Sequence, residues 1–288
     1  MSTNPPPPPM GDPDSAAQAA AQPTTPARRD PSLPLAAVAG AAVGILGGMI
    51  GLGGAEFRLP LLIGVFGFVA LQAVILNKAL SLIVVATALP ARLLGVPYGA
   101  VAEHWAIVVN LLLGSLVGAW VGATWATRMR SKTLYRVLGA LLVGIAVVLV
   151  LTHLGNIEPA GIDGAWQLIA GIVAGVAIGI VAALMGVAGG ELLIPTIVLL
   201  YAVDIKVAGS LSLAVSLPTM LVAFARYSRD QSFSVLAANK NFLFAMAAGS
   251  VAGTIIGGLL LGVVPSAVLI PLLAALLLLS SVKVWQHD

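Results

Sequence analysis

Cysteine is absent from all 288 residues, which excludes disulfides, thiolate-ligated zinc, iron–sulfur clusters and thiol catalysis. Charge is nearly as scarce. Only 9% of residues are Asp, Glu, Lys or Arg, against about 25% in an ordinary soluble domain, so this chain cannot coat a water-soluble globule. Lys and Arg number 14 against 11 Asp and Glu, a net +3 scattered too widely to predict a nucleic-acid-binding face. His104, His153 and His287 stand alone at segment edges, and there is no HExxH or other metal-ligand spacing. No GxGxxG loop opens after a strand, and neither GxxxxGK[ST] nor GxSxG occurs. No enzyme, metal or cofactor is therefore expected, and ATP-driven pumping lacks its machinery. The 32 glycines fall short of one residue in three and show no triplet period, so the chain is not collagenous. What is abundant is apolar surface: 59% hydrophobic residues and a mean hydropathy of +1.06. The reading is an all-α, polytopic membrane protein.

Residues 1–32 differ from the rest. Pro5 to Pro9 form an unbroken run, followed by Pro13, Pro23, Pro26 and Pro31 among Ala, Gln, Thr and Ser. With little to bury, this stretch reads as a disordered tail of polyproline II character. It has no apolar core or cleavage site that would make it a secretory signal. Beyond it, long apolar runs alternate with short polar breaks. About 20 helical residues cross the hydrocarbon layer. On that ruler ten segments are expected: Leu33–Leu52, Phe57–Leu71, Asn77–Leu94, Ala106–Ala126, Leu134–Leu154, Ala165–Val187, Leu192–Val203, Val207–Tyr227, Asn241–Val263 and Ser266–Trp285. The second and seventh are short and follow glycine clusters, a pattern that marks discontinuous transporter helices. Eight to ten transmembrane helices result, depending on whether those hairpins cross or are re-entrant.

A shift of 135 residues superimposes the two halves. Gly40, Gly44, Gly51, Gly54, Glu56 and Pro60 fall on Gly175, Gly179, Gly186, Gly189, Glu191 and Pro195. Gly114, Ser115, Gly118 and Gly122 meet Gly249, Ser250, Gly253 and Gly257 without a gap. An internal duplication explains two separated blocks in one register. It divides the body into a first repeat at 33–154, an outside connection at 155–164 and a second repeat at 165–288. Five segments per half is an odd number, so the halves should be inverted relative to each other. Basic residues set the orientation. With the N-terminus in the cytoplasm, Arg28, Arg29, Lys78, Arg128, Arg130, Lys132, Arg136, Arg226, Arg229, Lys240 and Lys283 lie inside, leaving Arg58, Arg92 and Lys206 elsewhere. Both termini are expected in the cytoplasm.

The chemistry should lie in the two blocks GLGGAEFRLP and GVAGGELLIP. Glycine lets the backbone leave helical geometry. A new helix then starts, with proline early enough for its missing amide to cost little. Free N–H groups at such starts, with the positive dipole end, suit an anion. The substrate site is accordingly placed on Gly51, Gly53, Gly54, Glu56, Arg58, Pro60, Gly186, Gly189, Gly190, Glu191 and Pro195, with Asn77, Ser81, Ser212 and Ser216 as cavity-lining residues. The glycine stripes Gly40/Gly44, Gly175/Gly179, Gly114/Gly118/Gly122 and Gly249/Gly253/Gly257 read instead as helix packing. Glu56 and Glu191 have three readings: helix capping, proton coupling, or direct contact in the protonated form, since a carboxyl out of water favours its neutral form. Arg58, whose counterpart is Leu193, is either a counter-charge for substrate or a lipid-facing snorkelling residue.

These paired blocks, near the start of two halves of an all-helical chain, resemble the TauE/SafE-type sulfite exporter family, also called the 4-toluene sulfonate uptake permease family. The resemblance covers about Leu33 to Trp285. It implies a bacterial inner-membrane, multi-pass permease for small anions such as sulfite, sulfonates or related organic acids, with the lipid bilayer as its other partner. The family's motif falls on Gly51, Gly53, Gly54 and Pro60, then on Gly186, Gly189, Gly190 and Pro195. Ala55 and Ala188 stand where a third consecutive glycine is often seen. The expected function is a secondary transporter working by alternating access, with proton coupling through Glu56 or Glu191. A passive anion channel and a membrane scaffold are the alternatives, and a homo-oligomer is compatible with all three.

Overall fold

In lipid a helix pairs its own peptide groups, so apolar runs of this length fold as helices. In a computed structural model the described residues are 32–50, 54–95, 102–154, 161, 164–260 and 266–286. They form eleven α-helices: α1 Leu33–Ile50, α2 Ala55–Gly64, α3 Ala70–Gly95, α4 Trp105–Arg128, α5 Ser131–Leu154, α6 Ala165–Met185, α7 Gly190–Tyr201, α8 Ile205–Tyr227, the single turn α9 Val235–Ala238, α10 Lys240–Leu259 and α11 Ser266–Trp285. One 3₁₀ turn, Gln231–Ser234, precedes α9. Residues 1–31 of the expected tail lie outside the described residues, as do Gly51, Leu52 and Gly53. Of the expected outside connection, only Gly161 and Gly164 are described.

Six of these helices are long and apolar enough to cross a bilayer, namely α3, α4, α5, α6, α8 and α10. Their outward faces carry Leu113, Val117, Ile172, Val173, Phe244, Ile255 and Leu259, an apolar surface suited to lipid and not to water. Exposed Trp105 and Trp166 begin α4 and α6, while Trp120 and Trp125 lie toward the other end of α4. Tryptophan favours such interfacial levels.

Two segment boundaries move. The expected second segment, Phe57–Leu71, ends as a helix at Gly64, and the third begins at Ala70 instead of Asn77. Hydropathy runs unbroken through Val65–Val69, but Gly67 takes φ +69°, a left-handed turn that apolarity does not reveal. Helix α2 therefore has 10 residues and α7 has 12. At about 1.5 Å per residue neither spans the roughly 30 Å hydrocarbon layer. The α6–α7 unit is a hairpin. Gln167 Nε2, in the first turn of α6, donates to the carbonyl of Leu200 at the end of α7 (2.7 Å), so both open ends lie at one level. In α1–α2, Gly54 sits against Val43 and Gly47 of α1, the folding-back that Gly189 makes against Ile178 and Ala182 of α6.

The packing glycines act as read. A methyl group on Gly114 or Gly118 would strike the backbone of Ile172 or Val176, bringing α4 against α6. On Gly249 or Gly253 it would strike Ala37 or Ala41, bringing α10 against α1. The partners differ by the same 135 residues as the glycines, and residue numbers rise together in each pair, so both pairs are parallel. The remaining helices fill in around this frame: α5 packs on α11, and α3 on α8. Helix α3 is central, with 67% of Ala70–Thr87 inside the protein against 33% of Lys240–Gly257 in α10. Its polar residues accordingly face protein rather than lipid.

Candidate functional site

Where α6 ends, the N–H groups of Gly186 and Val187 close on the carbonyls of Ala183 and Ala182, and five carbonyl oxygens receive side-chain donors in place of the water that lipid excludes. Side chains from α3 provide most of them. Lys78 Nζ donates to the carbonyls of Ala182 (2.8 Å) and Val187 (2.6 Å). Asn77 Nδ2 donates to Met185 (3.0 Å), and Ser81 Oγ to Gly186 (3.2 Å). From α8, Tyr227 Oη donates to Ala183 (2.9 Å). Positive charge at a helix C-terminus is also favoured by the dipole. Asn77 Nδ2 reaches the first hairpin as well, donating to the carbonyl of Ala55 (3.0 Å). One side chain thus ties the start of α2 to the end of α6.

The charged residues converge on that junction. Glu56, Arg58 and Lys78 are 2%, 0% and 0% exposed. Arg58 Nη1 points to Ser81 Oγ (3.5 Å) and lies beside Glu56, so it is no lipid-facing snorkelling residue. Glu191 faces Lys78, and the Glu56 and Glu191 carboxyls lie within hydrogen-bonding reach of each other. Among the described residues, no N–H or hydroxyl donor meets Glu56 Oε1 or either oxygen of Glu191, and Asn77 Oδ1 is likewise without a donor. Two carboxyls, two cations and an amide meet where two helices start and a third ends.

Local backbone explains why the blocks take this shape. Gly54 and Gly189 occupy the N-cap positions of α2 and α7 at φ +69° and +84°, and Gly186 ends α6 at +71°. Both N-caps are glycines, with no side chain to cap the helix. Gly190 is simply the first residue of α7. Pro60 and Pro195 correct the expectation of a proline within the free first turn. The first i→i−4 bonds are made by Arg58 and Leu193, to Gly54 and Gly189, so the prolines lie two residues too late. They delete the amides that would bond the carbonyls of Glu56 and Glu191.

Other expected site residues stay apart. Ser212 Oγ donates to the Gly209 carbonyl of its own helix (2.8 Å), and Ser216 is buried with no partner for its hydroxyl among the described residues. Neither hydrogen-bonds to the cluster. Gly51 and Gly53 lie outside the described residues. Lys78 was misplaced: counted among the inside charges, it is buried in the third turn of α3 and no longer bears on orientation. A lysine inside an otherwise apolar span was the available signal. Arg226 donates to Thr124 (2.9 Å) and Thr127 (3.3 Å) of α4.

The paired breaks with buried charge at their meeting point fit a transporter, and a family model described as Sulfite exporter TauE/SafE matches residues 36–284. The chain belongs to the TauE/SafE family. It is a multi-pass membrane transporter, not an enzyme. No curated protein and no solved structure matched the chain. In this TauE/SafE protein the family match spans α1 to α11, so both hairpins and the lysine-bearing α3 belong to the matched body.

Proposed function

We propose that this protein moves a small oxyanion of the sulfite or sulfonate type across a bacterial inner membrane, by alternating access at the junction of the two hairpins. The observation that carries this is the pair of buried cations, Arg58 and Lys78, at two half-helix starts whose N–H groups and dipoles add further positive potential. The reading takes the halves as inverted repeats. Each contributes one hairpin and three long helices, an odd number of crossings, and the 135-residue relation between parallel pairs α1–α10 and α4–α6 supports it. Without Lys78, Arg128, Arg130, Lys132, Arg226, Arg229 and Lys240 still cluster at the α4–α5 turn and the α8–α10 link. The Arg226 contacts with Thr124 and Thr127 hold those two regions at one level. That supports cytoplasmic termini.

Energy comes from the proton gradient through Glu56 and Glu191. The test is flux of sulfite and of methanesulfonate in proteoliposomes with and without an imposed pH gradient. Saturable, gradient-driven uptake that Glu56→Gln or Glu191→Gln uncouples is expected. Non-saturating flux without counter-transport would identify a passive channel, and unchanged coupling in both variants would remove the proton role.

A further inference from the structure

We infer that Glu56 and Glu191 are one dyad holding a single shared proton, and that this proton makes the site a receptor for anions of charge −1. The inference deepens the transport reading and rests on it for the identity of the ligand as an anion.

The geometry is unusual for two acids. They come from the first turns of α2 and α7, in different halves, and each carboxyl is the other's hydrogen-bonding neighbour. Two carboxylates in contact cannot both stay ionised away from water, and a carboxyl–carboxylate hydrogen bond resolves the conflict. No other donor among the described residues satisfies Glu56 Oε1 or the Glu191 oxygens.

The charged neighbours are few. Arg58 stands beside Glu56, and Lys78 beside Glu191. Helices α1 and α6, packed on the hairpins, carry no titratable residue. On α8 the titratable residues are at the ends: Lys206, Arg226 bound to Thr124 and Thr127, and Tyr227, whose hydroxyl is turned to Ala183. On α11 the one such residue is Lys283, against Gly64. On α5, Lys132, Tyr135 and Arg136 lie in the first two turns, with Tyr135 accepting the Ala70 N–H, and His153 is near the far end. Helix α3 adds Lys78 and, toward its distant end, Arg92.

Charge then follows by inspection. While Arg58 and Lys78 are both charged, one singly protonated dyad leaves +1 in a core with no water-like screening. A bound monoanion brings the core to zero. If the shared proton leaves to water on one side, the dyad becomes −2, the core is neutral without ligand, and the anion has nothing to hold it. One proton and one monoanion therefore travel together in the same direction. A dianion would match only a fully neutral dyad.

Two measurements decide this on the full-length purified protein. The first needs no ligand: infrared difference spectra in H₂O and D₂O across pH 5–9. A protonated-carboxyl band is expected that Glu56→Gln and Glu191→Gln each remove or shift; a band unaltered in either variant would overturn the dyad. The second is binding of methanesulfonate and of sulfate, by calorimetry, across the same range. Wild-type affinity for methanesulfonate should fall about tenfold per pH unit above the dyad's midpoint, following one-proton linkage. Glu191→Gln should bind it without that slope, and the double Gln variant should prefer sulfate. A wild-type slope retained in both single variants, or an unchanged preference in the double variant, would sink the charge rule. If folded wild-type protein binds neither anion at any pH, the anion-transport reading falls, while the infrared band still reports on the dyad.

Discussion

Lys78 donates its two hydrogen bonds to backbone carbonyls, of Ala182 and Val187, and faces Glu191 across the same junction. Its ammonium thus does for the end of α6 what water would do in a soluble protein. Replacing it with Met leaves the Val187 carbonyl without its donor, while Ala182 keeps the Val187 N–H, at a cost of about 1–3 kcal/mol. Lys78→Met should lower the unfolding midpoint in a thiol-independent thermal assay and abolish anion binding. Lys78→Arg, which keeps charge and donors, should recover most of the stability. Equal loss in both would show that packing volume, not hydrogen bonding, decides this position. At the same scale, Asn77 and Ser81 stood out in the sequence because they interrupt an apolar run. Their bonds to the carbonyls of Met185 and Gly186, 108 and 105 residues away in the chain, could not be read because no local pattern encodes those partners.

Among the elements, the short helices depend on their neighbours most. Neither α2 nor α7 could form alone at 10 and 12 residues, and each is held by the hairpin arm before it and the helices around it. The long pairs α1–α10 and α4–α6 hold the frame by backbone approach. Gly118→Ala places a methyl group against the Val176 backbone, whereas Gly144→Ala meets nothing within 4 Å. Membrane-inserted yield and melting temperature should fall for the first substitution and stay level for the second. Comparable behaviour of the two would mean that α4 and α6 can separate freely. The glycine stripes were legible because spacing along one helix face is a one-dimensional signal. The break at Gly67 was not, because a left-handed turn among apolar residues leaves hydropathy unchanged.

For the whole molecule, the proposed inverted halves and cytoplasmic termini make a direct topological prediction. The chain has no cysteine, so single cysteines can be introduced without background labelling. A cysteine at Gly161 should react with an impermeant maleimide in intact cells, and one at Ser234 only after the membrane is opened. The reverse pattern would invert the topology, and labelling of both from one side would contradict an odd number of crossings between them. Composition and hydropathy by themselves determined that this protein is helical and lies in a membrane, and the sequence shows matching glycine-rich blocks at an offset of 135 residues. Hydropathy, helical spacing and duplication are all properties that survive projection onto a line. Only the tertiary structure decided that Glu56 meets Glu191, that Arg58 faces inward and that Lys78 closes the end of α6. Those facts depend on which buried charges and carbonyls find each other across the two halves, where the absence of water leaves each polar group to be satisfied by whatever the fold brings near.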